Sequence, residues 1–118
     1  MMSYLYEQIL SAGISEGMGV LSTKGRDAGR VFMVLRVAGR RLELVNGRNR
    51  SLSRPKIKHQ RHVKPLGHIL TATEVANLLN SDLVEREKDI ILRKQIEAFL
   101  DEIKFDGQEM TDAKGRSD

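Results

Sequence analysis

Lys24 and Arg30 flank, and Arg26 lies within, the pentapeptide Gly25-Arg26-Asp27-Ala28-Gly29, which joins two apolar runs, Gly19-Val20-Leu21-Ser22 and Val31-Phe32-Met33-Val34-Leu35. Guanidinium groups at the tip of a tight loop suit phosphate contact and stacking on bases. Glycine reaches positive φ without steric cost, so Gly25 and Gly29 can close the turn and let another polymer approach its backbone. The chemistry this spacing offers is ionic contact with a polyanion. Further cations lie in two later blocks: Arg48 and Arg50 behind Asn46-Gly47, then Lys56, Lys58, Arg61 and His62 in a last basic run. Asp27 is the one acid of the loop. It is expected to brace the turn through backbone N–H groups, as aspartate does in tight turns, and not to touch a ligand.

Other chemistry-bearing residues read more plainly. His59 and His62 have an His-x-x-His spacing, but Lys56, Lys58, Arg61 and Lys64 surround them and no nearby acid or cysteine completes a ligand set. A phosphate-facing or simply exposed histidine is expected there, with no metal and no cofactor. Asp101-Glu102 and Glu85/Glu87 read as charged helix surface. No nucleophile–base arrangement and no Walker-type loop is visible, so a non-enzyme is expected.

Charge is unevenly distributed along the 118 residues. The whole chain carries +4, yet residues 17–66 hold thirteen lysines and arginines against two acids, a net +11. Residues 68–118 hold seven basic and twelve acidic side chains, a net −5. A basic block this concentrated repels itself unless a polyanion is the partner. The chain has no cysteine, which excludes disulfides and thiolate metal sites and fits a cytoplasmic home. No apolar run approaches the ~20 residues of a membrane span.

These side chains need a scaffold, and the hydrophobic pattern supplies one. Residues 3–12 fit a short helix ending near Gly13, with Leu5, Ile9 and Ala12 on one face. Residues 17–66 read as short strands. Val31, Met33, Leu35 and Val37 alternate as a half-buried strand requires, and Leu42 and Leu44 alternate inward after the turn Ala38-Gly39-Arg40. Asn46-Gly47 predicts a hairpin whose return strand is Arg48 to Leu52, ended by Pro55. Val63 and Leu66 mark a last strand. Four or five short strands in so few residues suit a small, strongly bent barrel. The period then changes. Thr71 with Glu74 forms a capping box, with Thr73 as the alternative cap, ahead of Val75, Leu78 and Leu79. Asn80-Ser81-Asp82 should break that helix and cap a second, in which Leu92, Ile96, Phe99 and Ile103 share a face and Asp89 pairs with Arg93. The predicted fold class is α+β: a barrel at 17–66 and a helical hairpin at 71–105, with a polar tail at 106–118 expected to be disordered.

Residues 17–66 resemble a KOW domain, a glycine-loop unit within an SH3-like barrel. Val20-Leu21-Ser22, the loop Gly25-Arg26-Asp27-Ala28-Gly29 and Val31-Phe32-Met33-Val34 carry the likeness, with Gly29 at the family's most characteristic glycine. The chain is similar in particular to the large-subunit ribosomal protein family fourteen-e and its small bacterial relatives. The matching blocks are Ser22-Thr23-Lys24-Gly25-Arg26-Asp27-Ala28-Gly29, then Asn46-Gly47 with Arg48 and Arg50, then Pro55-Lys56-Ile57-Lys58-His59-Gln60-Arg61-His62. The resemblance covers less than half of the chain. It implies binding to structured RNA, such as ribosomal RNA, through the loops and the basic face. Carried over position by position, the contacts would be Lys24, Arg26 and Arg30, then Arg48 and Arg50, then Lys56, Lys58, Arg61 and His62. Aromatic residues are scarce, which favours backbone and shape recognition over sequence reading.

The rival expectation is an adaptor of the transcription or translation machinery, in which barrel and helices recruit a protein, as KOW domains do in elongation factors. In either case the C-terminal helices could contact the ribosome or another protein.

Overall fold

The computed structural model describes residues 13–103. The expectations for a helix at 3–12 and a disordered tail at 106–118 lie outside the described residues.

Five strands form one antiparallel sheet: β1 (Met18–Ser22), β2 (Val31–Ala38), β3 (Arg41–Val45), β4 (Lys56–His59) and β5 (Val63–His68). Their order is β4-β3-β2-β1-β5, and a 3-10 turn, Gln60–His62, links β4 to β5. Two helices come next, α1 (Ala72–Asn80) and α2 (Glu85–Ile103). The α+β class is as expected.

The central strands of the sheet are buried on both faces. Val20, Phe32, Val34, Leu42, Leu44 and Val63 form one cluster with Ile14. Met33, Leu35 and Val45 form a second with Val75, Leu92 and Ile96 from the helices. Phe32 to Leu35 are therefore all buried, and β2 is not the half-buried strand its alternation suggests. A continuous apolar run is the signature of burial on both sides. The register shifts between Val34 and Arg36. That irregularity explains why Val37 packs with Phe32 and Val34 while Val31 packs with Met33 and Leu35: one extra residue moves the side chains beyond it to the other face.

The helical hairpin covers the second face. Thr71 caps α1 as expected: its Oγ1 accepts from Glu74 N–H at 3.0 Å, and Thr71 N–H donates to Glu74 Oε1 at 2.9 Å. Ser81 closes α1 by donating its hydroxyl to the Leu78 carbonyl at 2.8 Å. It does not cap α2, whose first-turn N–H groups of Glu87 and Lys88 reach the Val84 carbonyl instead. Leu92, Ile96 and Phe99 are buried, but Ile103 remains 39% exposed, so the apolar stripe stops one turn early. Each buried aliphatic side chain contributes about 1.5–3 kcal/mol relative to exposure.

The segment after β3 departs from the hairpin reading. Residues 46–55 form a wide loop, and the strand that returns along β3 is Lys56–His59, beyond Pro55. Asn46 organises the loop: its Oδ1 accepts from Arg48 N–H at 2.9 Å and Arg50 N–H at 3.1 Å. Gly47 has φ +77, and a Cβ there would collide with the backbone carbonyl of Asp89 on α2. Asp89 does not make the expected surface pair with Arg93. Its Oδ1 accepts from Leu52 N–H at 2.9 Å, which pins the loop to the helix.

Candidate nucleic-acid interface

The β1–β2 connection is closed by backbone hydrogen bonds. Gly29 N–H donates to Ser22 O at 2.8 Å, Ser22 N–H to Arg30 O at 2.9 Å, and Arg30 N–H to Asp27 O at 2.9 Å. Gly29 has φ +89 and nothing near its missing side chain, so the glycine is required for backbone conformation and not for space.

Beneath the loop, Asp27 is 8% exposed. Its Oδ1 accepts from Ser22 Oγ at 2.6 Å and Lys58 Nζ at 3.0 Å. Lys56 Nζ stands 3.0 Å from Oδ2 as a second ion pair on the same carboxylate. Lys58 Nζ also donates to the Lys24 carbonyl at 2.7 Å. Burial alone would raise the Asp27 pKa. The Ser22 hydroxyl and the Lys58 and Lys56 ammonium groups outweigh it and hold the carboxyl well below the usual carboxylate range.

Two expectations are corrected here. Asp27 does brace the loop, but through side chains and not through backbone N–H groups. Lys58, expected as an RNA contact, is buried and consumed by Asp27 and Lys24; Lys56 is half-buried against the same carboxylate. The strand period carries the signal: positions 56 and 58 lie on one face, so both ammonium groups can reach one acid.

With Asp27 turned inward, Lys24, Arg26 and Arg30 are exposed on the loop. Arg26, Arg30 and Arg50 line an open depression of about 260 Å³ with Asn49 and Phe32, and the Asp27–Lys56 ion pair forms part of its wall. The glycine loop and the 46–55 loop thus meet in space, and cations far apart in sequence surround one concavity. Arg48 does not line it and pairs with Glu97 of α2 at 2.9 Å, both side chains being well exposed.

A second cationic group adjoins the loop through the 3-10 turn, where Thr23 N–H donates to His62 O at 2.9 Å. The rings of His59 and His62 are 6.0 Å apart. Both imidazole pKa values lie below the ordinary value. Loss of solvent is the first cause and positive neighbours the second: Arg61, Lys24 and Lys58 for His62; Arg61, His62, Arg41 and Arg40 for His59. The turn therefore sits in a positive potential. Among the described residues, no group of three or more His, Cys, Asp or Glu side chains could hold a metal ion.

Sequence reasoning missed Ser22 and Lys58 as the brace, and Asn49, Arg93 and Glu97 as neighbours of the cations. The last three depend on how α2 lies against the loops, which no local pattern encodes.

No protein-family model and no curated protein matches the chain. No helix among the described residues is long and apolar enough to cross a membrane.

Proposed function

We propose that this chain is a non-catalytic RNA-binding protein whose target is structured RNA, such as ribosomal RNA, and that it works in the cytoplasm in association with the ribosome. The observation that carries the reading is the convergence of Arg26, Arg30 and Arg50 on one depression, whose single lining acid, Asp27, is already paired with Lys56 and Lys58. A pre-formed cationic surface loses little freedom when a phosphodiester chain lies on it, and arginine can grip phosphate bidentately. Lys24, Arg61 and His62 extend the positive surface past the 3-10 turn.

The same reading takes the sheet as an SH3-like barrel of the KOW kind. The 3-10 turn between β4 and β5 and a core cluster drawn from the sheet and Ile14 support it, while β4 and β5 stand as the two edges of the sheet and do not pair to close it. The loop Gly25-Arg26-Asp27-Ala28-Gly29 resembles the KOW loop.

Fluorescence anisotropy with a labelled RNA hairpin, titrated across salt concentrations, tests the proposal. Binding should weaken with a slope of about −0.7 to −0.9 per phosphate contact. Absence of binding at low salt, or affinity indifferent to salt, would point to a protein partner instead.

A further inference from the structure

A second depression adjoins the first, with Arg30 and Asn49 lining both. It encloses about 360 Å³ between the glycine loop, the Asn46–Arg50 loop and α2. Its lining differs in kind. Val31, Ile96 and Leu100 supply apolar surface, while Arg30, Arg48 and Arg93 supply guanidinium groups. The Asn49 side-chain oxygen accepts from Asn46 Nδ2 at 2.9 Å, which leaves the Asn49 amide hydrogens for a ligand. A ligand suited to this lining is flat, partly apolar and flanked by negative charge. A paired base inside a duplex cannot enter such a depression, whereas an unpaired base can stack on guanidinium planes and aliphatic surface while its phosphates remain outside.

We propose that this depression receives an unstacked base of single-stranded RNA, with Arg30 and Arg48 taking the adjoining phosphates. The inference rests on the RNA-binding reading and narrows it to the unpaired nucleotides of a structured RNA. Glu97 is the one acid lining the depression and holds Arg48 at 2.9 Å when RNA is absent. A phosphate arriving there displaces Glu97 from Arg48. The carboxylate is therefore a competitor built into the site.

The test uses the full chain, a fluorescein-labelled unstructured oligoribonucleotide, and a fully paired RNA duplex containing the same strand. Glu97→Gln should tighten single-strand binding by about two- to fivefold, the range an exposed ion pair is worth, and leave duplex affinity unchanged. Glu87→Gln, the same charge change elsewhere on exposed α2, should alter neither. A 2-aminopurine in the single strand should change its emission on binding as it leaves its neighbours. Equal tightening of both RNAs, no effect of Glu97→Gln, or unchanged 2-aminopurine emission would overturn the base site while leaving RNA binding intact. Failure of both RNAs, and of the hairpin, to bind the unmutated chain would overturn the RNA-binding reading itself and this inference with it.

Discussion

Lys58 Nζ lies 3.0 Å from Asp27 Oδ1, joining β4 to the β1–β2 loop across 31 positions of sequence. Both groups are buried, and each answers the other's charge. The pair fixes the loop from below and leaves its arginines outside.

Removing one member of a buried pair leaves an uncompensated charge, which typically costs about 3–5 kcal/mol. Asp27→Ala should destabilise the protein by an amount of that order, read as a lower urea midpoint. Arg26→Ala, at an exposed position one residue away, should stay within about 0.5 kcal/mol of the unmutated chain. An Asp27→Ala variant of undiminished stability would show that the pair does not hold the loop.

Acid should act through the same residue. The folded pKa of Asp27 is depressed from 3.8, so in this range the unfolded chain binds more protons than the folded one. Its contribution is complete above the unfolded value and is lost as pH falls below about 4 toward the folded one. Urea midpoints measured between about pH 5 and 3 should fall, and Asp27→Asn should show a shallower decline. Parallel declines would contradict this assignment.

His62 carries the opposite consequence for binding. Its pKa is lowered in the free protein, first by loss of solvent and then by Arg61, Lys24 and Lys58. A phosphate beside it favours the protonated ring, so binding takes up a proton and affinity should rise as pH falls from neutral toward the lowered pKa of the free ring. His62→Gln should flatten that dependence. Identical pH profiles for the two proteins would place His62 outside the interface.

Gly47 tests the docking of the wide loop on α2. An alanine there meets both a positive φ and the Asp89 carbonyl, so Gly47→Ala should cost more than about 1 kcal/mol in chemical unfolding. An unchanged midpoint would mean that loop and helix are not held together as described.

Much of this architecture can be read locally. Thr71 and Glu74 cap a helix because capping needs only neighbours in sequence, and Leu42 and Leu44 point inward because a strand has period two. The return strand escapes such a reading because Asn46-Gly47 carries a strong hairpin signal, whereas this loop answers to Asp89, 37 residues beyond Leu52. Lys58 likewise reads as solvent-facing in a basic run. Only the pairing of β4 beside the glycine loop turns it inward. Exposed arginines are legible as a set, but not their gathering around one depression, because the two loops that bring Arg30 and Arg50 together are separate in sequence.

The central claim is that a braced loop presents its arginines to a phosphodiester chain. The most direct measurement is the salt dependence of RNA-hairpin binding for the unmutated chain and for Arg26→Ala/Arg30→Ala. The double variant should keep its urea midpoint, bind more weakly, and show a salt slope shallower by about the two phosphate contacts removed. A folded double variant with the same affinity and the same slope would contradict the account.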